Sequence, residues 1–216
     1  MEHDGLRLHT RYAYPAFASV DKYKADLPFL EQQIKEVTNY KKLIKFFGEK
    51  CPYLLLYVPS SFETEEVRNY WIGAGKKSHT NVKFRDWLLD DILLSDLPNG
   101  RSVKCDINEL NRCNVIPAEI VQLGREPLVR YFVYKYENNK LSLVQEMSRI
   151  KLLFDSQVNV GDRVAKHFSY GIEKIEPKED LRVKLVDAFN NRDKDYLLEN
   201  IQLAEGFIDK LIQKLR

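Results

Sequence analysis

The chain has 216 residues and a net charge of +2, with 44% hydrophobic and 31% charged residues. This apolar content is enough for a folded core, so the composition excludes an intrinsically disordered protein. The nearly balanced charge excludes a general electrostatic field that would draw the protein to nucleic acid or to an anionic membrane. No apolar run approaches bilayer length, and the polar start of the chain lacks a signal-peptide pattern. We therefore expect a soluble, cytoplasmic protein that does not associate with membranes.

The first fifty residues give two predictions. Residues 1–20 carry several aromatic side chains without a clear period, and we expect an irregular segment that packs on the body of the protein. From Phe29 to Phe47 the apolar residues recur in steps of three and four, which predicts one amphipathic helix that ends at Gly48. The apolar run at residues 53–58 predicts a short buried strand.

Two further helices are predicted before residue 100. Ser60 and Glu63 have capping-box spacing and predict the start of a helix that continues through Val67 and Trp71. Residues 87–94 are predicted to form a second amphipathic helix, which closes before the sequence Pro-Asn-Gly.

The middle of the chain contains the clearest signal. Residues 117–123 begin with proline and are followed by glycine, a pattern that predicts a short helix. Two β-rich runs, 128–136 and 140–147, flank Asn138-Asn139 and predict an antiparallel hairpin, because asparagine tolerates the positive φ of a tight turn. Both faces of the first run are apolar, so we expect at least one of these strands to be central in a sheet.

The final third is predicted to be helical at residues 180–189 and 197–215. In the second of these helices the apolar residues alternate in steps of four and three, as in the seam of a coiled coil. We expect this stripe to pack on the chain's own core; a protein partner or a homo-oligomer through the 195–216 helix is the alternative. The stripe consists of Leu197, Ile201, Ala204, Ile208, Leu211 and Leu215.

Together these elements predict one α+β domain spanning residues 1–216. Its body, residues 1–175, contains an antiparallel sheet that includes the 128–147 hairpin, with helices packed on it. Residues 176–216 form a C-terminal helical segment. No Gly-, Ser- or Pro-rich linker divides the chain.

The motifs of common catalytic and cofactor sites are missing from the sequence. Residues 73–78 contain a Gly-Lys pair, but a phosphate-binding loop requires glycine at the position of Tyr70 and Ser or Thr at that of Lys77. The four histidines lack metal-ligand spacing, and the three cysteines lack a CxxC pair, so we expect reduced cysteines, no metal and no cofactor.

One segment has an unusual charge pattern, since no acidic residue lies between Asn69 and Arg85. Basic side chains neutralise phosphates and aromatic faces stack on bases, so this mixture suits a nucleic-acid contact. A solvated loop whose aromatic residues belong to the core is the alternative. We predict a non-enzymatic interaction module, a subunit of a nucleic-acid-handling assembly. Its candidate binding residues are Tyr70, Trp71, Lys76, Lys77, His79, Lys83 and Arg85.

A second functional hypothesis comes from the hairpin. The run from Arg130 to Met147, preceded by residues 85–89 (RDWLL) and 116–119 (IPAE), resembles the arginine-led hairpin of chorismate-lyase-like and UTRA ligand-binding domains. The resemblance implies a small-molecule-binding domain or an enzyme in which Arg130 binds a carboxylate. The later family strands, including the one with a catalytic glutamate, have no counterpart in the helical C-terminal third.

Overall fold

A computed structural model of the chain describes residues 4–50, 62–94, 105–153, 157–176 and 179–216. The predicted strand at 53–58 and Ser60 of the predicted capping pair lie outside these residues. Helices and a six-stranded, mostly antiparallel sheet confirm the predicted α+β class. No helix of the described ranges is both long and apolar enough to cross a bilayer.

The segment predicted to be irregular is helix α1, Asp4–Ala18, followed by a 3-10 helix at Asp21–Asp26. Leu6, Ala13 and Phe17 are buried on the inner face of α1. The prediction was wrong because aromatic residues make up much of this face and obscure its period. In addition, Pro15 lies in the last turn of α1, where it removes only one backbone hydrogen bond of the helix.

Two helices, α2 (Leu27–Lys35) and α3 (Tyr40–Lys50), occupy the segment in which one was predicted. The Gln33 side chain causes the break, because its amide oxygen accepts hydrogen bonds from the backbone N–H groups of Thr38 and Asn39 at 3.1 and 3.2 Å. Asn39 then starts the next helix, its side chain accepting from a backbone N–H of α3 at 2.9 Å. Local side-chain bonds thus override a continuous apolar period.

The predicted helix through Val67 and Trp71 is confirmed as α4, Thr64–Ile72. Helix α5, His79–Trp87, continues into a π-helical turn at Leu88–Leu93, which matches the predicted helix at 87–94 apart from its wider turn. Helix α6, Ile107–Cys113, precedes the sheet.

The predicted hairpin is confirmed in register. Strands β2 and β3 pair from Leu128 with Arg149 to Glu137 with Lys140. Asn138 and Asn139 both have positive φ, 51° and 59°, as a two-residue turn of this kind requires. β2 lies between β3 and β1, so the expected central strand is also confirmed. The sheet order is β3-β2-β1-β5-β6-β4, with strands β1 (Ile116–Gln122), β2 (Leu128–Glu137), β3 (Lys140–Arg149), β4 (Lys151–Leu152), β5 (Arg163–His167) and β6 (Tyr170–Ile175).

The predicted helix at residues 117–123 was wrong, because this segment is strand β1. Ile116, Ala118 and Ile120 are buried in alternation, the period of a strand. β1 pairs with β2 on one side and with β5 on the other, where Pro117 lies opposite Ala165. Pairing on both sides outweighs the helix-start preference of proline.

The sheet curls so that its two edge strands approach each other at one corner, at Ile150. β4 begins two residues after β3 ends, yet the two strands lie at opposite ends of the strand order. Ile150, between them, donates its backbone N–H to the carbonyl of Pro127 before β2, and Lys151 donates to Ser169 before β6. The interior of the curled sheet is lined by the apolar cluster Ile116, Ala118, Ile120, Val129, Tyr131, Val133, Ile150 and Val164.

The C-terminal segment forms α7 (Arg182–Asn191), α8 (Lys194–Ile201) and α9 (Glu205–Lys214). The single long helix predicted here is broken at Gln202, whose φ is 56°, and Ala204 is exposed. The expected packing of the stripe on the chain's own core is confirmed. A partner helix at 195–216 would have to displace it, since Leu197, Ile201, Ile208, Leu211 and Leu215 are buried in one cluster with α5 and the hairpin.

Candidate functional site

The aromatic residues of the candidate nucleic-acid segment lie in the core. Tyr70, Trp71 and His79 are 6%, 1% and 4% exposed. Trp71 packs against the His79 ring, with 4.6 Å between the ring centroids. These rings therefore cannot stack on bases without opening the core.

The four basic residues of that segment divide into two pairs. Lys76 and Lys77 are exposed on the loop between α4 and α5. Lys83 and Arg85 are half-buried on α5, and Arg85 forms an ion pair of 3.4 Å with Asp86. A nucleic-acid role stays a prediction, now resting mainly on the two loop lysines.

Three histidines surround Trp71 in the core. The Trp71 indole N–H donates to His9 Nδ1 at 3.1 Å, and the rings of His79 and His167 lie 4.6 and 5.8 Å from that of Trp71. Burial lowers the pKa of His9 to about 3 and that of His167 to about 4, and it also lowers the pKa of His79. All three are therefore neutral near pH 7 and serve the packing of the core. The described residues contain no group of three or more side chains arranged to hold a metal ion.

Arg130, the residue of the second hypothesis, lies on the outer face of the sheet. Its guanidinium forms two hydrogen bonds of 2.8 and 2.9 Å with the carboxylate of Glu119 on β1. It lines neither of the two larger cavities of the described residues. Neither of these two cavities therefore supports the carboxylate-binding role of Arg130.

The first of these cavities, the inner cavity, has a volume of about 320 Å³ and lies between α4, the sheet and the start of α7. Its three basic side chains are all ion-paired. Arg68 binds Glu173 at 3.1 and 3.2 Å through two nitrogen–oxygen contacts, and Lys174 binds Asp162 at 2.8 Å. Arg182 is paired with Asp180 at 2.6 Å.

Arg182 is the most buried of the three, at 2% exposure. Its guanidinium makes three contacts of 2.6 to 3.2 Å with the Asp180 carboxylate and also donates to the backbone carbonyl of Phe132. A buried guanidinium needs partners of this kind. The three basic side chains of the inner cavity thus have carboxylate partners within the protein and need no anionic ligand.

The second cavity, which we call the Lys166 cleft, differs in this respect. It has a volume of about 490 Å³ and opens at one end of the curled sheet. Its walls come from the end of α1, helix α6, the β2–β3 hairpin and the β5–β6 turn. The lining residues are Ser19, Asn108, Asn111, Arg112, Tyr131, Val133, Glu146, Lys166, Phe168 and Ser169.

Lys166 points into the interior of the sheet from β5. On the β1 side, Lys166 lies opposite Ile116 as Val164 lies opposite Ala118, so Lys166 shares the inner face with these apolar residues. Its ammonium lies 4.2 Å from the centroid of the Tyr131 ring, a cation–π contact, and the residue is only 8% exposed. No carboxylate of the described residues forms an ion pair with it. A buried cation is usually paired, so Lys166 is an exception that calls for an explanation.

The electrostatics of the cleft follow from this position. Burial lowers the pKa of Lys166 to about 8, while the carboxylate of Glu146, which lines the same cleft, acts in the opposite direction. Glu146 itself accepts a hydrogen bond of 3.3 Å from the Tyr131 hydroxyl. Near pH 7 the lysine is mostly protonated, and it presents to the cleft a positive charge that forms no ion pair with the described residues.

Two local features shape the walls of the cleft: a hydrogen-bonded asparagine on α6 and the backbone conformation of the β5–β6 turn. The side chain of Asn111 pairs with the backbone of Tyr134, donating at 2.8 Å and accepting at 2.7 Å, and so fixes α6 on β2. Phe168, in the tight β5–β6 turn, has a φ of 53°, which is unusual for a residue other than glycine. Strained backbone of this type is frequent at functional sites.

Lys166, Tyr131 and the other cleft residues were not among the residues predicted from the sequence. Strands β5 and β6 were also missed, because the turn between them, Phe168-Ser169, has neither glycine nor asparagine. A signal was present in the short run Arg163–His167, where a lysine follows the apolar pair Val-Ala. This lysine can be recognised as a buried cleft residue only once the pairing of β5 with β1 is known.

The comparisons with known proteins are negative. No known protein family, no curated protein sequence and no solved structure matches this chain.

Proposed function

We propose that this protein is a small-molecule-binding domain that takes a small anionic ligand into the Lys166 cleft. The observation that carries the proposal is the unpaired ammonium of Lys166 on the wall of an open cavity. Of the two hypotheses that the sequence left open, the small-molecule one has better support, with Lys166 in the role first given to Arg130.

Electrostatics favour an anion. An ammonium that has lost most of its water and has no counter-ion gains free energy when a carboxylate or a phosphate approaches it. In the inner cavity, by contrast, a protein carboxylate balances the ammonium of the lysine: Lys174 is paired with Asp162 at 2.8 Å. In the Lys166 cleft the ligand would supply that missing charge.

Size and composition favour a small organic molecule. A volume of about 490 Å³ falls within the range of small-molecule sites. The rings of Tyr131 and Phe168 offer apolar walls, and the side chains of Asn108 and Ser169 offer neutral hydrogen-bonding groups. An anion that carries an apolar or aromatic part suits this lining.

The test is an NMR titration of the full chain with benzoate and, in a separate arm, with inorganic phosphate. We expect benzoate to bind with a dissociation constant of about 1 mM or lower and to shift the amide signals of β5 and the β5–β6 turn. Binding should weaken at least about tenfold in Lys166→Met, and also as the pH rises through about 8, where the lysine loses its proton. Phosphate binding stronger than that of benzoate would identify a phosphorylated ligand.

Lys174→Met is the matched control, since Lys174 is a lysine of the neighbouring strand β6 that is already paired. It should bind benzoate as the wild type does. Equal affinity in wild type and Lys166→Met would contradict the proposal. A third arm uses a single-stranded oligonucleotide: binding that is lost when Lys76 and Lys77 are both changed to Met, and kept in Lys166→Met, would make nucleic acid the partner instead.

A further inference from the structure

The Lys166 cleft combines three features that meet in few lysine sites. The amine lies at a cavity wall, it has no ion-pair partner among the described residues, and it rests on an aromatic face. Lys76, by contrast, is an exposed lysine of the loop between α4 and α5. A lysine that is held by an aromatic ring inside a cleft presents its amine in a defined position to whatever binds there.

We propose that Lys166 is a covalent attachment site, at which its ε-amine condenses with the carbonyl carbon of an aldehyde bound in the cleft. This inference rests on the proposed ligand site and adds a bond to it. The amine nitrogen attacks the aldehyde carbon and forms a C–N bond; the carbonyl oxygen takes up protons and leaves as water, and an imine remains. The reaction consumes no oxidant or reductant.

The local chemistry supports this step. Amines in partly desolvated sites lose their proton near neutral pH and then act as nucleophiles, which is how imine-forming lysines are activated. Burial lowers the pKa of Lys166 to about 8. At pH 7.5 about a quarter of such an amine is neutral, against about one part in a thousand of an ordinary lysine.

The neighbouring groups suit the proton transfers of imine formation. The amine lies over the Tyr131 ring, and the hydroxyl of that ring is hydrogen-bonded to Glu146 at 3.3 Å. An acid–base pair thus lies at the same wall as the amine. Loss of water from the first adduct requires a proton on the departing oxygen, and groups of this kind can carry it.

The experiment is reductive trapping of the full chain with 4-formylbenzoate and cyanoborohydride at pH 7.5, with the modified lysines identified by peptide mass spectrometry. We expect Lys166 to be modified at least tenfold faster than Lys76 and Lys77. The amino terminus of the chain is an internal standard, because an ordinary α-amine has a pKa of about 8. Modification that follows exposure, with the loop lysines ahead of Lys166, would overturn the inference.

Two measurements on the wild-type protein separate this inference from the proposed function: benzoate binding tests the ligand site, and reductive trapping of Lys166 tests the covalent step. If the wild type binds benzoate and Lys166 is not trapped, the cleft is a ligand site and the covalent step is wrong. If Lys166 is trapped rapidly and benzoate does not bind, the covalent step stands and the anion-binding function is wrong.

Discussion

The inner cavity and the Lys166 cleft lie against the same sheet and treat a buried cation in opposite ways. In the inner cavity, Arg182 is 2% exposed, and the protein supplies its counter-ion, Asp180. In the Lys166 cleft, Lys166 is 8% exposed, and the described protein residues supply an aromatic face but no ion pair. The first arrangement is complete within the fold. The second leaves its cation without an ion pair among the described residues. This difference in pairing, more than the size of either cavity, is the reason for proposing the Lys166 cleft as the ligand site.

The largest effect is expected on the paired side of this comparison. Asp180→Asn removes the carboxylate charge and leaves the guanidinium of Arg182 buried, while the amide oxygen can still accept from the backbone N–H of Arg182. We expect the free energy of unfolding to fall by about 3 kcal/mol, the lower end of the range for a broken buried pair, since Arg182 keeps its bond to the carbonyl of Phe132. Denaturant unfolding measures this change.

Two variants sharpen this prediction. Glu179→Gln removes the partner of the exposed Lys184 close to the same cavity, and it should leave the unfolding midpoint unchanged. The double variant Asp180→Asn/Arg182→Met removes both charges and should recover most of the loss. An Asp180→Asn protein as stable as the wild type would show that the inner cavity does not depend on its pair.

At Lys166, which has no ion pair among the described residues, we expect substitution to stabilise the protein and not to destabilise it. Lys166→Met replaces a buried, unpaired charge with an apolar side chain of similar length, and it should raise the free energy of unfolding by about 1–2 kcal/mol at pH 7. The lost cation–π contact with Tyr131 offsets part of the gain. Destabilisation by this variant would mean that the ammonium has a strong partner in the fold.

The pH dependence of this gain provides a further check. The unfolded chain keeps the lysine proton up to a pH of about 10.5, whereas the folded protein loses it near 8. Between these values the unfolded state binds more protons, so the stability of the wild type rises with pH by at most about 1.4 kcal/mol per pH unit. The difference in the free energy of unfolding between Lys166→Met and the wild type should therefore shrink from pH 8 to pH 10. For the control Lys174→Met, the difference from the wild type should not change in this way over the same range.

The smallest effect is expected at Glu146, which lines the same cleft outside ion-pair distance of Lys166. Its negative charge raises the pKa of Lys166, so Glu146→Gln should move the titration midpoint of Lys166 below about 8. The NMR signals of methyl-labelled lysines report this midpoint. Glu137→Gln, which removes the partner of Lys135 at the far end of the hairpin, should leave it unchanged. An unchanged midpoint in Glu146→Gln would assign the pKa of Lys166 to burial alone.

The sequence predicts the parts of this fold that depend on local geometry. Asn138-Asn139 predicts the hairpin because the required backbone conformation is a property of those two residues. The apolar stripe of the last helices predicts burial, although not the break at Gln202. The failure at β1 has the opposite cause, because Pro117 has a local preference that pairing with β2 and β5 overrides.

The candidate site could not be predicted from the sequence for a related reason. Nothing local distinguishes Lys166 from the other lysines of the chain, since its burial and its missing counter-ion are set by strands distant in the sequence. The basic–aromatic segment at residues 70–85 stood out instead, because charge and aromatic content are visible without a fold. In the structure, the aromatic rings of this segment are part of the core around Trp71.

The approach of the two sheet edges at Ile150 also sets the order in which parts of the sheet can form during synthesis. The β2–β3 hairpin is local and can form as soon as residue 149 has left the ribosome. β4, by contrast, pairs with β6 and cannot join the sheet until β6 has been synthesised. β5, which carries Lys166, lies between these two strands in the sequence. A nascent chain that ends before residue 163 therefore contains both strands of the hairpin but neither β5 nor Lys166. Truncated or stalled chains of this length would have the element that the sequence predicts most clearly and would lack the Lys166 cleft.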